Sequence, residues 1–217
     1  MRDFPPRINI QGLPDKEQIV VRNMTVLFLG LATYANEFRA ALMLYQFCTA
    51  QIQIPKSGRA ADLPFDQIQF VAGRDGAMSI YHFGKTIEAI GTQIARCPNL
   101  FAKLNRNKLR TVRRHLRAEF PYFEAVRHAV AHLAELGATP EKAEENSVAG
   151  PFVFAGITIA PGSNVTLRNT LYNNQYVNTF DGEIQAYEVS EKTYEALVSI
   201  RVECYEIFEP ASLHDDG

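Results

Sequence analysis

Apolar positions recur at helical spacing through the first two thirds of the chain and give way to period-two, β-branched stretches in the last third. After Pro14, Asp15 is placed to cap a helix whose apolar positions run through Val26, Leu27, Leu31, Tyr34, Phe38, Leu42, Tyr45 and Ile52. This predicts one long helix, or two, ending before Pro55. Residues 55–66 read as a loop by their Pro, Gly and Ser content. A second helix is predicted over 68–96, with Phe70, Ala77, Ile80, Tyr81, Ile87 and Ile94 as its apolar positions. Cys97-Pro98-Asn99 stops it, because the residue before a proline is pushed out of the helical region. A third helical segment is predicted over 105–136, kinked or broken at Pro121 and ended by Gly137 and Pro140.

From residue 151 the runs PFVFAGITIAPG, SNVTLRNTLYNNQYVNTF and EIQAYEV predict strands. Asp181-Gly182 between them is a two-residue hairpin signal. Ser190 then caps a last helix that turns Tyr194, Leu197, Val198, Tyr205 and Phe208 inward. The expected fold is a single, mainly α domain over residues 1–217: a bundle of four to five helices with a small antiparallel β-hairpin insertion before the last. Its expected parts are an irregular arm (1–13), a helical core (14–137), a linker (141–150), the insertion (151–189), the final helix (190–208) and a tail (209–217). A hairpin is marginal alone in water, so the sheet has to lean on the helices.

The 217 residues are 47% hydrophobic and carry a formal net charge of −2, so a nucleic-acid reading has to rest on a local patch. The three cysteines, Cys48, Cys97 and Cys204, are odd in number and far apart, which predicts buried thiols in a reducing compartment. The polar, proline-broken N-terminus lacks the apolar centre of a secretory signal. The greasiest run, Met24 to Ala35, is shorter than the ~20 apolar residues of a membrane span. The expectation is a cytoplasmic protein without a membrane partner.

One local patch stands out. Lys103, Arg106, Lys108, Arg110, Arg113, Arg114 and Arg117 follow one another with no acid before Glu119. On a helix, Arg106, Arg110, Arg113, Arg114 and Arg117 share one face, with Leu109, Val112 and Leu116 on the core side. Such a stripe attracts phosphates through charge and counterion release. It is equally the pattern of a solvated face paired with acids from elsewhere.

Just downstream lies Arg127-His128-Ala129-Val130-Ala131-His132. A neutral imidazole suits proton transfer near pH 7. RNA is cut without a metal when a base takes the 2′-OH proton and an arginine stabilises charge on phosphorus. The stretch resembles the R-x-x-x-x-H motif of the HEPN superfamily, helical-bundle domains of which many are metal-independent RNases acting as homodimers. The resemblance covers roughly residues 20–137 and 191–208. It implies Arg127 and His132 as the catalytic pair, His128 as a supporting polar group, no cofactor, and a homodimer acting on RNA. It equally allows a non-enzymatic regulatory or protein-interaction module, because the superfamily includes members without nuclease activity. In an ideal helix, residues five apart point about 140° from each other, so the pair needs a broad cleft or a second protomer.

Two further readings compete. His128 and His132, four apart, share a helix face as metal-binding pairs do, with Glu124 and Glu135 a turn away and Asp75 and His82 on the second helix as possible additions. Ala129 stands where a zincin places its glutamate, so that class is excluded. Tyr172, Tyr176, Phe180 and Tyr187 can form a platform for bases, or one sheet face packed on helices. Gly73-Arg74-Asp75-Gly76 lacks the Lys-Ser/Thr of a phosphate loop and reads as the start or a weak point of the second helix. Tyr81-His82-Phe83 reads as bundle packing.

Overall fold

The computed structural model describes residues 4–53, 64–131, 135 and 138–213. Among these the chain is mainly helical, with small antiparallel strand pairs in its last third. The helices are α1 (Asp15–Ile52), α2 (Phe65–Ala95), α3 (Pro98–Lys103), α4 (Arg106–Glu119), α5 (Phe123–Ala131), α6 (Pro140–Glu145) and α7 (Glu191–Glu206). The first helical pattern is therefore one unbroken helix. The third divides at Phe120-Pro121-Tyr122, where proline removes a donor and clashes with the preceding turn. Cys97-Pro98 ends α2 as expected, but Pro98 also sits in the first turn of α3, where its missing N–H costs nothing. The acidic stretch expected as linker contains α6, capped by the Thr139 hydroxyl accepting from Lys142 N at 3.3 Å.

The chain divides into two compact units, and α1 and α2 contribute residues to both. The first comprises Met1–Asn36, His82–Pro121 and Tyr194–Gly217. Its core holds Met24, Phe28 and Leu31 of α1, Ile87, Ile90 and Ile94 of α2, Val112 and Leu116 of α4, and Leu197 of α7. The Phe28 ring meets Tyr205 edge-on at 6.0 Å and Phe208 at 4.8 Å, and the Tyr205 hydroxyl donates to the Phe28 carbonyl at 2.7 Å. A buried tyrosine keeps its apolar body in the core and its hydroxyl satisfied. Burial pushes the Tyr205 phenol up to about 12, so it remains a donor at any physiological pH.

The same unit contains a buried carboxylate. Glu17 accepts from Asn99 N at 3.2 Å, Leu100 N at 3.1 Å and Asn99 Nδ2 at 2.6 Å. These are free donors at the start of α3, whose own N-cap residue, Cys97, makes no side-chain cap bond. A residue of α1 thus caps a helix elsewhere in the chain.

The second unit comprises Glu37–Tyr81 and Tyr122–Thr193. In place of a single hairpin it holds three small antiparallel sheets. Strands β1 (Val148–Ala149) and β4 (Asn164–Val165) pair, as do β2 (Phe152–Phe154) and β3 (Ile157–Ile159). Strands β5 (Thr170–Tyr172), β6 (Gln175–Phe180) and β7 (Glu183–Glu188) form the third sheet. Three of the turns have two central residues with positive φ: Ala155-Gly156 at 48° and 89°, Asn173-Asn174 at 48° and 58°, and Asp181-Gly182 at 52° and 71°. Mirror-image turns of this kind match the twist of their strands and favour Asn, Asp and Gly.

The β5–β6–β7 sheet is fastened to α2 at a notch. Tyr176 and Tyr187 are cross-strand partners whose ring centroids lie 5.6 Å apart. The Tyr176 ring lies against Gly73 and the Tyr187 hydroxyl against Gly76, with Phe38 of α1 at 6.1 Å from the Tyr187 ring. Tyr187 Oη donates to the Gly73 carbonyl and Tyr176 Oη to Asn169 Oδ1. Desolvation holds Tyr187 well above its ordinary pKa and lifts Tyr176 to about 12, so both stay protonated donors. The aromatic face thus packs on helices. Tyr172 belongs to neither ring contact and is partly exposed.

Two expectations follow. A Cβ at Gly73 would meet Tyr176 Cδ2 at 2.6 Å and one at Gly76 would overlap the Tyr187 hydroxyl, so Gly73→Ala and Gly76→Ala should each destabilise by about 1–3 kcal/mol. Gly30 in α1 has ordinary contacts, the nearest 3.5 Å, so Gly30→Ala should instead stabilise by about 0.5–1 kcal/mol; urea midpoints of the three variants check this contrast of sign. The second concerns Glu17. Burial pushes its carboxyl up, but the hydrogen bonds from Asn99 and Leu100 outweigh that and hold it below its ordinary value of 4.5. A depressed carboxylate contributes stability above its unfolded pKa and loses it as pH falls through the folded one. The melting-temperature gap between wild type and Glu17→Gln should therefore be full at neutral pH and shrink below about pH 4.5.

Candidate nucleic-acid interface

Helix α4 has three faces. Val112 and Leu116 are buried at 1% and 2% exposure. A second face meets α7: Lys108 Nζ lies 2.8 Å from Glu206 Oε2, and His115 Nδ1 donates to Glu203 Oε1 at 2.9 Å. The third carries Arg110, Arg113, Arg114 and Arg117, all exposed. With successive residues about 100° apart, these four fall within roughly a quarter turn. They make no ion pair among the described residues. The acids available to α4 are thus drawn to Lys108 and His115, leaving the arginine face uncompensated.

Arg113 sits where this face borders the apolar one. Its guanidinium lies over Gly91 of α2, so close that a Cβ there would overlap Nη2. The glycine gives the guanidinium a flat backbone surface to rest on, and Arg stems commonly lie along apolar surface in this way. Asn105 supports the start of the helix, accepting from Lys108 N at 3.3 Å through its side chain. The side chain of Arg106 lies outside the described residues.

The second candidate group belongs to the other unit. Arg127 stands in α5, a helix that packs on β6 and β7 and buries Phe123 and Val126. Its guanidinium carbon lies 5.6 Å from the centroid of the Tyr81 ring, a cation–π distance, and the side chain is half-buried. Helix α5 is described to Ala131; His132 and the side chain of His128 lie outside the described residues. The Arg127–His132 separation and the His128–His132 pairing fall there too. Glu124 and Glu135 are both exposed.

Of the other candidate ligands, Asp75 Oδ1 lies 3.7 Å from Arg74 Nε and the His82 ring stacks on Tyr34 at 5.3 Å. Among the described residues no group of three or more His, Cys, Asp or Glu side chains comes together. The three cysteines are buried and free, and burial lifts the Cys204 thiol to about 12, far from the reactive range. Helix α1 is long and apolar enough to cross a membrane by length and composition; the Met24–Ala35 run read as too short is part of it.

Sequence reasoning missed His115, Glu203, Glu206 and Gly91. Glu203 and Glu206 are three apart on α7, a spacing that places two acids on one helix face, but only the fold reveals which bases they take. No known family, curated protein or solved structure matches the chain.

The ion-pair face and the arginine face separate experimentally. A double-mutant cycle of His115→Ala and Glu203→Ala, both partly buried, should give a coupling of about 0.5–1 kcal/mol. Reversing Arg114 and Arg117 to Glu should leave the melting temperature within a degree or two, since exposed sites away from packing shift stability by no more than about 0.5 kcal/mol.

Proposed function

We propose that the chain binds RNA through its phosphate backbone, using Arg110, Arg113, Arg114 and Arg117 of α4. The observation that carries this reading is the uncompensated arginine face: four exposed arginines with no acidic partner among the described residues. A solvated face of mixed sign would be bland, but a single-sign face in a chain of net charge −2 concentrates an anion-attracting potential in one place. Arg110 to Arg117 span about 10 Å along the helix axis, room for a few successive phosphates. Guanidinium groups grip phosphate oxygens in pairs, and such contacts position a nucleic acid without reading its bases. We read the fold accordingly as a HEPN-like helical bundle, with the strands inserted before α7.

Cleavage is the second reading, and the placement of Arg127 over the Tyr81 ring favours it. A guanidinium held over a ring face is attracted without a carboxylate taking up its N–H groups, which a phosphate can then engage. In this reading Arg127 stabilises charge on phosphorus, His132 transfers the proton, His128 supports them, and a homodimer completes the site. The same fold without cleavage is an RNA-binding or protein-interaction module.

Fluorescence anisotropy with a labelled single-stranded RNA tests the binding reading. Affinity should fall with salt at a log–log slope near −3, the value for about four phosphates on a single strand. Arg114→Glu with Arg117→Glu should weaken it at least about tenfold. An affinity that ignores both salt and the double reversal would refute the interface. For cleavage, the purified protein should degrade RNA in chelator, and His132→Ala should abolish this with its melting curve unchanged; intact RNA with wild-type protein removes catalysis and leaves binding standing.

A further inference from the structure

In the first unit, the residues before α1 and the first turns of that helix border an open groove of about 740 Å3. Its floor includes Ile8 and the buried Val21, while Phe4, Leu29 and Leu213 at its edge are 81%, 52% and 48% exposed. Arg7 and Arg22 line it, and no acidic side chain among the described residues does. Apolar surface left this open, next to cationic groups, marks a place where something binds.

The backbone narrows what that is. Ile8 is bridged to Ser212, and the bonds on either side are Asn9 N to the Ala211 carbonyl and Leu213 N to the Arg7 carbonyl, each 2.8 Å. In an antiparallel pair bonded this way, the N–H and C=O of Ile8 itself turn away from Ser212. Neither makes a hydrogen bond among the described residues. The arm thus offers one bridged residue whose outward N–H and C=O have no partner among the described residues, beside a groove that is apolar below and has Arg22 in its lining.

We propose that this groove receives an extended acidic peptide from a partner protein, added as a strand to the arm. An extended chain presents alternate side chains to one surface, so apolar residues at every second position would meet Ile8, Val21 and Leu29. The residues between them, pointing outward, would place carboxylates near Arg22. The groove is half open and its edge residues stay exposed, which suits a chain that enters at one end and leaves at the other. A small ligand is normally enclosed over most of its surface.

The test uses full-length protein and phage-displayed random dodecapeptides, selected on wild type and counter-selected on Arg22→Glu. The expected outcome is enrichment of peptides that alternate apolar residues with Asp or Glu. A synthesised enriched peptide should lose at least about tenfold in affinity to Arg22→Glu and to Leu29→Asp, both exposed positions whose melting curves should match wild type. N-methylation of its alternate backbone amides should weaken it comparably. Enrichment of basic sequences, absence of any Arg22-dependent enrichment, or indifference to N-methylation each overturns the proposal. Dodecanoate binding in an Arg22-dependent way, with no peptide enriched, would assign the groove to a small amphiphilic anion and overturn it as well.

Discussion

The seating of two tyrosines in a glycine notch governs the second unit. A three-stranded sheet of short strands does not stand alone in water; it needs a face to bury. Tyr176 and Tyr187 supply that face, and Gly73 and Gly76 let the rings reach the backbone of α2. The contact is steric and polar at once. Large apolar area leaves water, and each hydroxyl finds an acceptor, so burial incurs little unsatisfied-donor penalty. Other features depend on it. Helix α5 packs on β6 and β7, and Tyr81, which receives Arg127, lies on α2, the helix that carries the notch. The position of the candidate phosphate-stabilising arginine is therefore a consequence of how the sheet is held.

In the first unit the governing constraint is the allocation of charge on α4. A helix with this many bases needs either counter-charges or solvent. On the face turned to α7, Glu206 pairs with Lys108 and Glu203 hydrogen-bonds His115, and both bases are partly shielded from water. The arginines turned outward keep their hydration. Each exposed guanidinium costs little in stability, because water screens repulsion between neighbours, yet four on one face still add to a long-range potential. The division separates a structural use of charge from one available to a ligand.

Legibility in the sequence tracked how local each determinant is. The break at Pro121, the Ser190 cap and the Asp181-Gly182 turn depend on a few adjacent residues, and each is where the pattern places it. The run 173–178 reads as exposed turn chemistry, but only Asn173-Asn174 turns; Gln175–Phe180 is strand β6, with Tyr176, Val177 and Asn178 buried, and Ala155-Gly156 was unreadable because alanine disfavours positive φ. The glycines of α2 looked like a weak point. Their role as a notch depends on tyrosines some hundred residues further along the chain, a separation no periodicity encodes. The arginine face was visible by helical spacing, but its lack of acidic partners among the described residues was not, since only the fold shows that Glu203 and Glu206 of α7 meet His115 and Lys108. The capping of α3 by Glu17 is of the same kind: a hydrogen bond between distant segments leaves no local signature.

Arg127 shows how far one structural contact can sharpen a sequence motif. A guanidinium held over a ring has less rotamer freedom before any ligand arrives, so less entropy remains to be lost when it grips a phosphate. The ring also attracts the cation without competing for its N–H groups, which a carboxylate partner would occupy. An arginine held by an aromatic face is therefore preorganised, where one held by an acid is consumed. That difference makes the Tyr81 contact an argument for phosphate recognition at Arg127. It extends to chemistry only through a proton-transfer group, and at about 140° around an ideal helix His132 meets the same phosphate only in a broad cleft or through a second copy of the chain.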